Sequence, residues 1–113
     1  MPYIKLSTNA SIAPEKKEAI KSQLGKLIEI IPRKTEKWLM CDFEDNAQLF
    51  FSGTSEDAAY MEVKLFGTLE KDVADRFSQA VTALVSDKLS IPADRIYISY
   101  FTTLIWGWNG RNF

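Results

Sequence analysis

A proline, Pro2, stands directly behind Met1. A small residue at this place is what removal of the initiator methionine normally requires. Once Met1 is gone, Pro2 carries a free secondary amine, a basic and nucleophilic group that no other residue type presents unmodified. Burial in an apolar pocket disfavours the ammonium form and lowers its pKa. The amine is then poised near neutrality, where a general base works best. While Met1 remains, the Pro2 nitrogen is a tertiary amide with no basic lone pair, and this chemistry is closed. The plain alternative is that Pro2 is only an N-terminal residue.

Little else in the chain can carry chemistry. There is no histidine and one cysteine, Cys41. Ser/His and Cys/His nucleophilic pairs are therefore excluded, and one thiol among scattered carboxylates makes a poor zinc site, so no metal is expected. The five glycines are isolated and form no phosphate loop. Cys41 lies in the apolar run Trp38-Leu39-Met40-Cys41 and reads as a small buried hydrophobe. It has no partner for a disulfide within the chain.

The elements that must hold these residues are legible from hydrophobic period. Tyr3 to Thr8 alternates, with Ile4, Leu6 and Thr8 on one face and Tyr3, Lys5 and Ser7 on the other. Pro14 suits the first position of a helix. Ile20, Leu24, Leu27, Ile28 and Ile31 recur at helical spacing until Pro32 stops them. Trp38 to Phe43 reads as a second strand. Leu49-Phe50-Phe51 with Ser52-Gly53 reads as a short strand or bridge and a turn. Tyr60 to Phe66 is a third strand, with Met61, Val63 and Leu65 inward. Glu70 to Leu89 is a second helix striped by Val73, Phe77, Val81, Leu84 and Val85, and Arg95 to Phe101 is a fourth strand.

The pattern is doubled. Lys5-Leu6 recurs as Lys64-Leu65 and Ile31-Pro32 as Ile91-Pro92, a period of about 60 residues. The chain is expected to be one domain of two pseudo-repeats, 1–57 and 58–113. The fold class is α/β in content and α+β in layout: a duplicated β-α-β, with strands parallel within each unit and two helices on one face of a four-stranded mixed sheet. Two helices cover one face only, so the other calls for a partner copy. The aromatic tail, Trp106, Trp108 and Phe113, should dock on its own chain or a neighbour.

Fourteen basic and 15 acidic residues give a net charge of −1. Neither a nucleic-acid footprint nor a polybasic membrane anchor is present. No apolar run is long enough to span a bilayer, and Met1 to Ser11 lacks the apolar stretch of a secretory signal. A cytoplasmic protein is expected, with secretion outside the classical route left open.

Taken together, Met1-Pro2-Tyr3-Ile4 with Thr8-Asn9, the loop Phe51-Ser52-Gly53-Thr54-Ser55-Glu56, Asp94-Arg95-Ile96-Tyr97-Ile98 and Gly107-Trp108-Asn109 resemble the tautomerase superfamily, and within it the macrophage migration inhibitory factor group. The resemblance covers the whole chain. It implies a homotrimer with active sites between subunits, no cofactor, and keto–enol tautomerisation of small 2-keto acids such as phenylpyruvate with Pro2 as general acid/base. It further implies that Lys34 pairs with the substrate carboxylate, with Arg33 and Lys37 as alternatives one slip away. The Phe66 N–H is a second carboxylate contact, Tyr97 comes from the neighbouring subunit, and Trp108 and Phe113 are aromatic pocket walls. Where relatives carry asparagine two residues after the tyrosine, this chain has Ser99. Phe66 and Trp106 replace smaller residues and narrow the pocket. Asp57-Ala58-Ala59-Tyr60 stands where some relatives have a Cys-x-x-Cys, so no thiol oxidoreductase activity is expected. The alternative is an interaction or signalling protein, with a receptor partner and little catalysis.

Overall fold

The computed structural model describes residues 1–113. Strand β1 spans Pro2–Thr8, helix α1 Pro14–Leu27, β2 Met40–Glu44, β3 Ala59–Phe66, α2 Lys71–Leu89 and β4 Ile96–Thr103. The sheet order is β2-β1-β3-β4. β1 runs parallel to β2 and β3 parallel to β4, while the central pair β1 and β3 is antiparallel. The duplicated β-α-β and the mixed four-stranded sheet expected from the sequence are both present. No helix is long and apolar enough to cross a membrane.

Alternation decides the faces. Ile4 and Leu6 of β1 and Met61, Val63 and Leu65 of β3 are all buried under the helices. They meet Ile20 and Leu24 of α1 and Val73, Phe77, Val81 and Val85 of α2. At ~25 cal/mol per Å2 of apolar surface, this one-sided core is the main force holding the helices to the sheet. Pro14 takes the first turn of α1 as its missing N–H allows. Ser90, in left-handed backbone at φ 56, ends α2.

Three boundaries differ from the sequence reading. α1 gives way at Ile28 to a 3-10 turn, Ile28–Ile30, that keeps Ile28 and Ile31 in the core. A tighter helix holds an i, i+3 stripe as well as an α-helix does, so the period alone does not mark the change. Trp38 belongs to a 3-10 turn, Glu36–Trp38, and β2 starts only at Met40. This turn lies over α1 at Gly25, where an added Cβ would strike the Glu36 carboxyl. Cys41 is partly rather than fully buried, packed at the margin of the core.

The face without helices is not the bare apolar surface that would itself demand a partner. Tyr3 donates to Asp42 at 2.6 Å, Lys5 pairs with Glu44 at 3.2 Å and Lys64 with Glu62 at 3.6 Å. Tyr60 and Ser99 share a hydrogen bond across β3 and β4. Large apolar side chains are exposed on the edge strands of this face, Met40 on β2 and Tyr97 and Phe101 on β4, and beyond it at Leu104 and Ile105.

The tail folds back as a hairpin of β5, Gly107–Trp108, and β6, Arg111–Asn112. Asn109 and Gly110 have φ 53 and 76. Two successive positive φ values in a two-residue loop are the type I′ pattern, for which Asn-Gly is the favoured pair.

Candidate active site

A cavity of about 640 Å3 opens at the N-terminal end of β1 and the C-terminal end of β3. Its walls come from four places in the chain: Met1, the Pro32–Lys34 turn with Trp38, Phe66 with Gly67 and Thr68, and the tail residues Trp108 and Phe113. The antiparallel register sets Pro2 against Leu65, which brings Met1 to the end of β3. There the Phe66 N–H donates to the Met1 carbonyl at 3.3 Å. The parallel register sets Tyr3 against Met40, and the 3-10 turn just before β2 carries Trp38 to the same cavity as Met1.

The basic residue that reaches inward is Lys34. Ile31 accepts a hydrogen bond from the Lys34 N–H at 3.1 Å, closing a turn with Pro32 second and Arg33 third. Arg33 has φ 65. Proline followed by a positive φ is the type II arrangement. For arginine the left-handed backbone costs about 1 kcal/mol. The turn sends the Lys34 ammonium back to the Phe66 carbonyl, at 2.7 Å. Arg33 lines the same cavity, whereas Lys37 does not and lies over the Trp38 ring, 5.2 Å from its centroid. Of the three basic residues that the sequence left interchangeable, Lys34 is held at the inner end of the cavity and Arg33 joins its wall.

Four aromatic rings make the remaining wall. Trp38 meets Trp108 edge-on at 5.0 Å between centroids, Trp108 stacks on Phe113 at 6.3 Å, and Phe113 leans on Phe66 at 6.2 Å. The Phe113 N–H donates to the Trp106 carbonyl at 2.9 Å and anchors the terminus. Trp106 itself lines an adjoining cavity of about 410 Å3, with Pro2, Tyr3, Met40 and Lys64; Met1, Trp38 and Trp108 border both cavities. Pro2 is buried at the start of β1 and faces this second space.

With Met1 in place, the free amine is that of Met1. Burial, and next the charge of the neighbouring Lys34 ammonium, lower it from 8.0 to about 6. Both are the influences expected to poise a terminal amine for proton transfer near neutral pH.

The structure thus brings Lys34, Phe66, Trp108 and Phe113 to one cavity and sets Pro2 in the adjoining one, which shares Trp108. It does not bring Tyr97 to them. Tyr97 lies opposite Tyr60 in the β3–β4 register. That is six residues along β3 from Phe66, or about 20 Å at ~3.3 Å per residue. Its ring packs 4.9 Å from Phe51 and is well exposed. Ser99 is engaged with Tyr60 outside the cavity. Trp38 and the wall position of Arg33 were missed by the sequence reading. The one signal for Trp38 is the β1–β2 register, which needs the fold.

The whole chain, residues 1–113, matches the macrophage migration inhibitory factor family model. It is 28% identical over 115 residues to macrophage migration inhibitory factor of Rattus norvegicus, covering 100% of this chain and 99% of that protein. Among solved structures it is similar to Leishmania major MIF2, with a TM-score of 0.93, 28% identity and coverage of 100% and 97% of the two chains. It is also similar to the macrophage migration inhibitory factor homologue of Prochlorococcus marinus, with a TM-score of 0.82, 30% identity and 98% coverage of each chain. The family model, the relative and the solved structures all match along essentially the full length, and the chain belongs to the macrophage migration inhibitory factor family of the tautomerase superfamily.

Proposed function

We propose that the protein, once Met1 is removed, is a keto–enol tautomerase of 2-keto acids such as phenylpyruvate. The neutral Pro2 amine takes a proton from the carbon next to the keto group. The C–H pair becomes the new C=C bond, the carbonyl pair moves to oxygen, and the prolinium returns the proton to that oxygen. Lys34 pairs with the substrate carboxylate. The Phe66 N–H, released from the Met1 carbonyl, is a second donor to it, and the aromatic wall takes the apolar part of the substrate.

The observation that carries this reading is the terminal amine, lowered to about 6 by burial and Lys34 at the edge of an aromatic cavity. Pro2, buried one residue inward, is expected to meet the same two influences once it is the terminus. The site is completed in a homotrimer, where a neighbouring copy supplies Tyr97. That role accounts for an exposed tyrosine far from its own chain's cavity.

The test is turnover of enol-phenylpyruvate by protein whose free proline terminus is verified by mass. Turnover that is abolished by Pro2→Ala and by one added N-terminal residue is expected. Equal rates in those variants refute the role of Pro2. A second reading is an interaction protein with little catalysis, which applies where Met1 is kept, because its peptide bond makes the Pro2 nitrogen an amide. Native protein that keeps Met1 supports it.

A further inference from the structure

We infer that Arg33 makes this cavity selective for a dianionic enolisable substrate, a 2-keto acid bearing a second carboxylate. The inference rests on the tautomerase reading and names its substrate class. The first observation is the backbone. The other non-glycine residues with positive φ are Asn46, Ser52, Ser90 and Asn109, all with short polar side chains. Arg33, at φ 65, is the exception. Glycine would take the same turn without strain. Strained backbone of this kind persists where surrounding structure holds it, and it gathers at ligand-binding sites.

The second observation is charge. The cavity wall contains two cationic side chains, Arg33 and Lys34, and no acidic side chain, in a chain with a net charge of −1. Several other cations are engaged within the chain: Arg76 lies 3.6 Å from Asp72, Arg95 donates to the Asp57 and Glu56 carbonyls at 2.9 Å, and Lys64 lies 3.6 Å from Glu62. The Arg33 guanidinium has no hydrogen bond or ion pair in the chain and is exposed at the mouth. One monocarboxylate needs only Lys34. A second anion is what the free guanidinium is matched to, and arginine binds carboxylate through two parallel N–H bonds.

The third observation is spacing. Consecutive Cα atoms are about 3.8 Å apart, and the turn divides the two side chains. The Lys34 head is fixed deep, on the Phe66 carbonyl, while that of Arg33 is free at the rim. A diacid with its keto-acid end at Lys34 and its distal carboxylate at Arg33 uses both cations.

The test uses protein with a verified proline terminus, oxaloacetate as the dianion and phenylpyruvate as the monoanion. Arg33→Gly keeps the turn, since glycine favours that backbone, and Arg33→Lys keeps the charge. The ratio of kcat/KM for oxaloacetate over phenylpyruvate should fall about tenfold or more in Arg33→Gly, and less in Arg33→Lys. Binding is read separately from Trp38 and Trp108 fluorescence with succinate and butyrate, which differ in one carboxylate. Succinate should bind more tightly than butyrate, and Arg33→Gly should remove the difference. An unchanged kcat/KM ratio in Arg33→Gly overturns the inference, as does equal binding of succinate and butyrate to the unaltered protein. If neither keto acid is turned over while succinate still discriminates through Arg33, the tautomerase reading fails and the dianion site stands.

Discussion

Replacing Lys34 by methionine removes one charge and keeps most of the side chain's length. In the structure, the Lys34 ammonium is partly buried, has the Phe66 carbonyl as its hydrogen-bond acceptor at 2.7 Å, and lies beside the terminal amine. It meets no carboxylate of its own chain, so its charge is available to a substrate. A hydrogen bond to a charged partner contributes about 1.5–3 kcal/mol. Since 1.4 kcal/mol is a factor of ten, Lys34→Met should lower kcat/KM for phenylpyruvate by roughly tenfold to a hundredfold.

The same substitution has a second, independent consequence. The Lys34 charge is one of the two main causes, after burial, that lower the Met1 amine, and the Pro2 amine that takes its place is expected to feel the same charge. Without it the amine binds its proton more tightly. A base acts only when neutral, so the rising limb of the pH–rate profile must move to higher pH. Stopped-flow turnover between pH 5 and 9 on proline-terminated protein reads both effects. A kcat/KM within twofold of the unaltered protein, with the limb in place, would refute the assignment of Lys34. A fall in rate without a shift of the limb would leave Lys34 as an anchor but remove it as a tuner of the amine.

Three further outcomes follow from the same structure. Unprocessed protein should gain stability between about pH 6 and 8: its terminal amine is 8.0 unfolded and about 6 folded, so the unfolded chain binds more protons in that window and stability rises with pH. With no histidine in the chain, a urea midpoint that is flat across it, or one that is equally sloped after N-terminal acetylation, contradicts this. Thr8→Val should cost about 1–3 kcal/mol, read as a lower denaturation midpoint, because the buried Thr8 hydroxyl donates to the Ala58 carbonyl at 2.7 Å and accepts from the Ala10 N–H at 3.1 Å; a midpoint equal to that of the unaltered protein negates it. Cys41, pushed up to about 11 by burial and then by the Glu36 charge, should react with iodoacetamide at pH 7.5 about a hundredfold more slowly than a free thiol, and alkylation at the rate of an unfolded control would show the thiol to be open.

What was legible in the sequence was whatever depends on neighbours along the chain. The period-two runs around Ile4 and Val63 and the stripes through Leu24 and Phe77 settled the elements and their buried faces. What was not legible depends on which strand lies beside which. Lys5 and Glu44 face the uncovered side as a charged pair, yet alternation alone reads that side only as lacking a cover. Trp38 shares a cavity with Met1 through the turn just before β2 and the parallel β1–β2 register, across a gap that no local pattern spans. Arg33 reads as one of several basic residues after a helix until its φ and its place in the wall are known. Met1 shows the same dependence most fully. Its carbonyl accepts the Phe66 N–H, its side of the chain borders both cavities, and its peptide bond removes the Pro2 lone pair. In the proposed reading, cleavage of that one bond frees an amine beside one cavity and a donor beside the other. Both follow from one feature, that β1 begins where β3 ends: the antiparallel pairing of two strands far apart in sequence sets the first residue at the border of the two cavities.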